Sequence, residues 1–331
     1  KSLDKEEEES KPKEVKQTEL IAIEYDSNHE KLPNAKKGTV DFYTYDDSYH
    51  LIDSYKCESE DKGECRIAYS NDMSYLSFSE MKTFINDVDK VIFYDIKNKK
   101  KLGEYDAHSD PIGGTKVTED NYSDAKYIIV RGFDKKYGLI NNKGEITIPL
   151  NYDYIGPGDY FSPTKFYSIE DDYLYAELNK KWGLLKISDA STIIDFEYDA
   201  IGDYNGSTFW AMKGKSNNYY DVNTKKEVLE GNYEYVKKLG STHYLIVENK
   251  EMFIINEKEE KIDTETKVKL YKDFDFSLHT YSFAPFGIIR DTTKEIYEIS
   301  IVTDLKEEGK EYTYDIYEFN PKTETLTAKN V

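Results

Sequence analysis

The chain has 331 residues and carries 65 Asp and Glu against 45 Lys and Arg, a formal net charge of −20. That balance excludes sequence-independent binding to nucleic acid or to an anionic lipid surface, because both rest on cationic patches. Hydrophobic residues make up 38% and aromatics 15%, the latter carried by 31 Tyr and 15 Phe, a composition that can build a core and that favours strands.

Residues 1–18 run through Glu6 to Glu9 and a Lys/Glu/Pro stretch. Such a segment buries too little to offset its ordering entropy, so it reads as a disordered charged tether following a signal or membrane anchor upstream. The rest, 19–331, reads as a single β-repeat domain, and no stretch approaches the ~18 apolar residues of a spanning helix. Leu20 to Tyr25 is an early strand, expected to pair within the C-terminal unit. Asp26-Ser27-Asn28-His29-Glu30 begins like a calcium loop, but Lys31 stands where the sharp turn wants Gly. Cys57 and Cys65, the only two cysteines, flank a short polar loop with Gly63 in it. That spacing suits a disulfide ring in an oxidising compartment and equally two free thiols; a zinc site would need two further ligands, and none lies nearby in sequence. Ser79 to Asn86 is the one short helix candidate.

The clearest unit has strands at Tyr127 to Arg131, Tyr137 to Asn141 and Ile146 to Leu150. Asn142-Lys143-Gly144-Glu145 turns the last two into a hairpin. The order returns about 45 residues later as Tyr173 to Glu177, Trp182 to Ile187 and Thr192 to Asp195, and a fixed period means one supersecondary unit copied along the chain. Weaker copies share an aromatic pair, a polar turn and a return strand. They begin at Val40, Ile92, Tyr219, Phe253, Phe286 and Tyr314, giving roughly six to eight units with atypical ends. Short strands of this number per unit fit a seven-bladed β-propeller, the favoured architecture, with an open β-hairpin array or solenoid as the alternative. Either way the fold class is all-β.

Lys136-Tyr137-Gly138-Leu139-Ile140 and Lys181-Trp182-Gly183-Leu184-Leu185, each with a downstream Tyr-Asp-x-Ile (Tyr152-Asp153-Tyr154-Ile155; Tyr198-Asp199-Ala200-Ile201), resemble the WG-repeat (KWG) family of bacterial proteins. The other copies lack the Tyr-Gly or Trp-Gly step. The resemblance implies β-rich interaction modules, often exported or envelope-associated, and transfers no catalytic residue. Within the motif, Gly138 and Gly183 are expected to let a neighbouring unit's ring lie flat against the main chain.

Histidines at 29, 50, 108, 243 and 279 lack metal-pair spacing, and no nucleophile elbow, P-loop, dinucleotide fingerprint or zincin motif is present. No cofactor, metal or catalytic residue is therefore expected. Binding candidates come from loops that combine rigid aromatics with small polar residues: Tyr152, Tyr154, Tyr160, Phe161, Tyr204 and Trp210. The leading expectation is a non-enzymatic, secreted or envelope-tethered bacterial binding module for a protein or cell-wall glycan. The alternative is a carbohydrate-active propeller enzyme using acidic pairs such as Asp46-Asp47 or Asp171-Asp172.

Overall fold

The protein, seen in a computed structural model, is described at residues 19–24, 32, 34, 38–45, 48–58, 65–67, 77–78, 82–112, 115–118, 121–123, 126–156, 166–249, 251–263, 268, 286–304 and 313–330. These residues form strands and turns, with no helix among them. The chain divides into two compact units, Lys1–Leu150 and Asn151–Val331.

In the first unit, β1 (Glu19–Glu24), β2 (Thr39–Tyr45) and β3 (Tyr49–Lys56) form one sheet in that order. A second holds β4 (Cys65–Ile67), β6 (Lys82–Asp87), β7 (Lys90–Asp95) and β8 (Lys100–Tyr105). A small sheet joins β5 (Ser77–Phe78), β11 (Asn121–Ser123) and β10 (Thr115–Thr118), and a fourth runs β9 (Ala107–Ile112), β12 (Tyr127–Arg131), β13 (Tyr137–Asn141) and β14 (Ile146–Tyr152).

The second unit repeats the pattern. β15 (Tyr154–Ile155), β17 (Tyr173–Leu178), β18 (Lys181–Leu185) and β19 (Thr192–Tyr198) lie side by side, with β16 (Tyr167–Ser168) also on β17. Next come β20 (Ala200–Gly202), β21 (Thr208–Lys213) and β22 (Ser216–Asp221), then β23 (Tyr235–Leu239), β24 (His243–Glu248) and β25 (Glu251–Asn256). β26 (Phe286–Asp291), β27 (Ile296–Asp304), β28 (Thr313–Asn320) and β29 (Thr325–Asn330) close the series. Within each unit the all-β chain thus forms small sheets, most of them made of strands near one another in sequence; the β5–β11 pairing, which skips β6 to β10, is an exception. In the two middle sheets of this unit the outermost strand is reduced to the isolated bridges Tyr220↔Glu227 and Ile255↔Lys261.

Apolar cores lie between successive sheets. Phe84, Val91, Phe93 and Tyr105 of one sheet meet Ile128, Val130 and Ile140 of the next. In the second unit Tyr175, Leu184 and Ile194 meet Ile201, Phe209 and Tyr220, while Trp210 and Tyr219 on the adjoining sheet meet Val236, Tyr244 and Ile246. Strands inside such a stack are buried on both faces and read as unbroken apolar runs, as in Ile128-Ile129-Val130. The same effect explains the helix expected at Ser79 to Asn86, which is instead the strand β6 from Lys82 onward. Phe84 packs toward one neighbouring sheet and Ile85 toward the other, and double-sided burial erases the alternation that announces a half-wet strand.

Two further expectations are corrected. β1 pairs along its whole length with β2, from Glu19↔Tyr45 to Glu24↔Val40, and not with the C-terminal unit, whose sheet is completed by its own four strands. A neighbouring hairpin closes a shorter loop, and so at lower entropic cost, than a strand drawn from the far end of the chain. The copies beginning at Phe286 and Tyr314 are two hairpins of one sheet.

The hairpin turns owe their polarity to a shared device. Asp95, Asn141, Asp221, Asn256, Asp291 and Asn320 each accept a backbone N–H from a residue two or three positions on. The turn is then completed in the left-handed region at Lys99, Gly144, Lys225, Glu259, Glu295 and Glu324.

The motif glycines serve the return strand of their own unit and not a neighbour's ring. A Cβ on Gly138 would lie 2.6 Å from the Ile148 carbonyl oxygen and 2.9 Å from the Leu150 nitrogen; on Gly183 it would lie 2.7 Å from the Ile194 carbonyl oxygen and 2.8 Å from the Phe196 ring. Around Gly183 the ladder jumps from Trp182↔Tyr198 to Leu184↔Ile194, a bulge that presses the outer strand onto the glycine. Replacing Gly138 or Gly183 by Ala is expected to destabilise the protein by about 1–3 kcal/mol. Gly202→Ala, whose Cβ would meet nothing nearer than Trp210 at 3.7 Å, should stay within about 0.5 kcal/mol. Urea midpoints distinguish these outcomes, and equal shifts at all three positions would refute the crowding account.

Cys57 and Cys65 are disulfide-bonded, with their Cα atoms 6.0 Å apart. The bridge fastens the chain leaving β3 to β4 of the next sheet, and Cys57 is buried beside Val40, Phe42, Ile85 and Ile92. Asp87 reinforces the joint, accepting the Tyr55 hydroxyl at 2.9 Å and the Glu58 N–H at 3.0 Å. For so short a ring, reduction should cost about 2.5 kcal/mol. Urea unfolding of the first unit with and without reductant measures it; an unchanged midpoint would show that Asp87 and the core hold the joint alone.

Candidate binding surface

β16 and β17 form a hairpin, with Tyr167↔Leu174 and Ser168↔Tyr173 in register. Its tip carries Glu170, Asp171 and Asp172. Asp172 is turned to structural use, accepting the Ser188 N–H at 2.8 Å and the Ser188 hydroxyl at 2.6 Å. A second loop, 203–207, reaches the same place. Asn205 organises it by accepting the Ser207 and Thr208 N–H groups at 3.0 and 2.8 Å. Asp203 anchors it, receiving the Tyr219 hydroxyl at 2.8 Å and the Lys237 ammonium at 2.7 Å.

Between these loops the rings of Tyr173 and Tyr204 cross edge to face at 5.0 Å. Tyr173 also meets Tyr175 at 5.9 Å, and Phe166 meets Tyr167 at 5.0 Å. Phe166, Tyr167, Tyr173 and Tyr204 are half-buried, whereas Tyr175 is in the core. Burial first, and then the nearby Asp171 carboxylate, raises the hydroxyls of Tyr173 and Tyr204 above the ordinary tyrosine range. Both therefore stay protonated at neutral pH, neutral groups able to donate and to accept.

The candidate aromatics do not converge on one spot. Trp210 is 4% exposed and sits in the core with Tyr219 and Val236, offering no surface to a ligand. Tyr152 packs on Phe196 at 5.5 Å, and Tyr154 on Trp182 at 6.0 Å. Tyr154 pairs with Glu177, four residues along β17 from Tyr173, so at ~3.3 Å per residue it lies about 13 Å from the Tyr204 end. Tyr160 and Phe161 lie outside the described residues. Of the described aromatics expected from sequence, Tyr204 joins the Tyr173 cluster, whereas Tyr152 and Tyr154 are half-buried elsewhere. Phe166, Tyr167 and Tyr173 were missed, although an aromatic pair beside Glu170-Asp171-Asp172 was a usable signal.

The Tyr-Asp pairs form joints between sheets. Asp106, Asp153, Asp199 and Glu234 each follow a tyrosine, and each donates its N–H to a strand of the next sheet, at the carbonyls of Arg131, Glu177, Met212 and Val247, at 2.8 to 3.1 Å. Their carboxylates hold the following hairpin. Asp153 accepts the Asn179 N–H at 2.5 Å, Asp199 the Gly214 N–H at 2.7 Å and Glu234 the Asn249 N–H at 3.2 Å, while Asp106 pairs with Arg131 at 2.6 Å and Lys135 at 2.5 Å. Lys181 of the motif adds a 2.5 Å contact to Asp199. Tyr137 opens β13 and Trp182 is the second residue of β18, opposite Arg131 and Glu177 on the preceding strands.

The family model described as "WG containing repeat" matches residues 137–157, spanning Tyr137, Gly138 and the Tyr152-Asp153 joint. The chain contains a WG repeat. No curated protein matches it. Among solved structures, the tricorn protease is 12% identical at a TM-score of 0.33, with 94% of this chain covered but only 30% of that one. Hsv2 of Kluyveromyces lactis is 9% identical at 0.35, covering 89% and 92%. The C-terminal WD40 domain of Sif2 is 9% identical at 0.31, covering 88% and 79%. Likenesses this faint transfer neither a function nor a blade count to this chain.

Elsewhere among the described residues the histidines are dispersed. His243 is buried between Thr242 at 2.9 Å and Glu324 at 3.1 Å, and His108 stacks on Phe84 at 4.2 Å. His29, His279, Asp46 and Asp47 lie outside the described residues. Among those described, no group of three or more His, Cys, Asp or Glu side chains is placed to hold a metal ion.

Burial works to raise the Asp199 carboxyl, and Lys181 with the Gly214 N–H outweighs it, leaving the group below its ordinary value. A carboxylate depressed in the folded state contributes stability above its unfolded pKa and loses it as pH falls through the folded one. Discounted for partial exposure, Asp199→Asn should cost about 1 kcal/mol at neutral pH. The difference from the parent chain should close below about pH 4. Thermal unfolding across pH checks this; a gap independent of pH would show that the charge is irrelevant to the joint.

Proposed function

We propose that the chain is a non-enzymatic binding module, secreted or tethered at a bacterial cell envelope, which meets a protein or a cell-wall glycan through the Tyr173–Tyr204 cluster. The observation that carries this reading is a set of half-exposed rings, Phe166, Tyr167, Tyr173 and Tyr204, held on two loops that short polar contacts make rigid. Rigid aromatics lose little entropy on contact and combine an apolar face with a hydrogen-bonding tip, the composition of protein and sugar recognition surfaces. The Cys57–Cys65 bond supports an oxidising compartment. A repeat that binds needs only a stable stack and one differentiated edge.

The test is capture of partners from envelope extract and from purified cell wall by the full chain. Tyr173→Ala and Tyr204→Ala should each weaken capture about fivefold or more. Phe133→Ala, removing a ring that is 56% exposed in the first unit, should not. Equal retention by all three variants would remove this cluster as the binding surface, and cytoplasmic fractionation of the native protein would remove the envelope assignment.

A further inference from the structure

Asp171 differs from the other acids of this surface. Asp172 is held by Ser188, and Asp203 is neutralised by Lys237. Asp171 accepts the Ser168 hydroxyl at 2.8 Å, and among the described residues neither it nor the exposed Glu170 pairs with a cation. Ser168, which holds Asp171, is the cross-strand partner of Tyr173, and this places the carboxylate beside the crossed rings, whose hydroxyls burial and then its charge raise. Both rings are half-exposed, which leaves part of their surface for another group. An exposed carboxylate beside half-exposed tyrosine rings is the chemistry that receives an ammonium or guanidinium. The chain uses this mode internally: Lys213 lies 4.5 Å from the centre of the Tyr198 ring and Lys261 4.4 Å from that of Phe253. Its net charge of −20 also draws cations toward it over long range.

We infer that the Tyr173–Tyr204–Asp171 notch receives a lysine or arginine side chain of a basic polypeptide segment. This rests on the binding-module reading and narrows its partner from protein or glycan to a cationic protein. Ring faces and carboxylate act together, the rings supplying an apolar seat and Asp171 the counter-charge. A neutral sugar would use the rings and leave Asp171 idle.

The experiment is calorimetry of the full chain at physiological salt with two probes, hexalysine amide and a neutral cell-wall oligosaccharide. Asp171→Asn and Tyr204→Leu should each weaken hexalysine binding about fivefold, and Tyr204→Phe should stay within about twofold. Asp89→Asn, removing an exposed acid of the first unit, should change little. If Asp89→Asn weakens binding as much as Asp171→Asn, the attraction is diffuse and the notch is refuted. If the oligosaccharide binds, weakened by Tyr204→Leu and untouched by Asp171→Asn, the module reading stands and the cationic partner falls. Silence toward both probes overturns both.

Discussion

Sheets inside the units, such as those of β6–β7 and β21–β22, have two apolar faces and can shield neither by themselves. Ile128 and Val130 on β12 pack toward the preceding sheet, and the intervening Ile129 is buried on the opposite face. On β6, Phe84 and Ile85 divide in the same way. Burying a side chain of this size is worth about 1.5–3 kcal/mol, and for an isolated three- or four-stranded sheet half of that gain would be absent. Stacking is therefore the condition of folding, and the rest of the architecture makes the stack orderly.

Two polar devices provide that order. Within a sheet, an Asx residue caps the turn and a left-handed residue such as Lys225 or Glu295 completes it, which fixes hairpin register without large side chains. Between sheets, the acid after the recurring tyrosine clips the end of one sheet to the hairpin of the next, as Asp199 does at Gly214. The glycine of the WG step serves a third need, because a bulged outer strand has to pass within van der Waals distance of the middle strand. Aromatic, glycine and acid therefore recur together for three separate mechanical reasons.

Loops released from this duty are where half-exposed rings gather. The 166–173 hairpin and the 203–207 loop keep their backbones rigid through Asp172, Asp203 and Asn205, and their rings need not fill a core completely. The neighbouring Trp210 shows the opposite allocation: one strand further on, the larger ring is fully absorbed between sheets. Aromatic content alone does not mark a surface in a protein where tyrosine is also a core residue.

Sequence by itself determined the all-β class, the hairpins at Tyr137 to Leu150 and Trp182 to Asp195, and their equivalence, because turn chemistry and apolar runs are local properties of the chain. It also contained Glu104-Tyr105-Asp106-Ala107, a copy of Glu197-Tyr198-Asp199-Ala200. That copy is hard to see because its unit carries glycine on the return strand, at Gly103 opposite Phe93, and so lacks the Tyr-Gly or Trp-Gly step. Only the tertiary structure decided that β1 pairs with β2, that Ser79 to Asn86 ends in a strand and not a helix, and that Tyr204 meets Tyr173 while Trp210 is buried. Those outcomes depend on which faces meet across sheets, and residue order records the burial of a side chain without recording the partner that buries it.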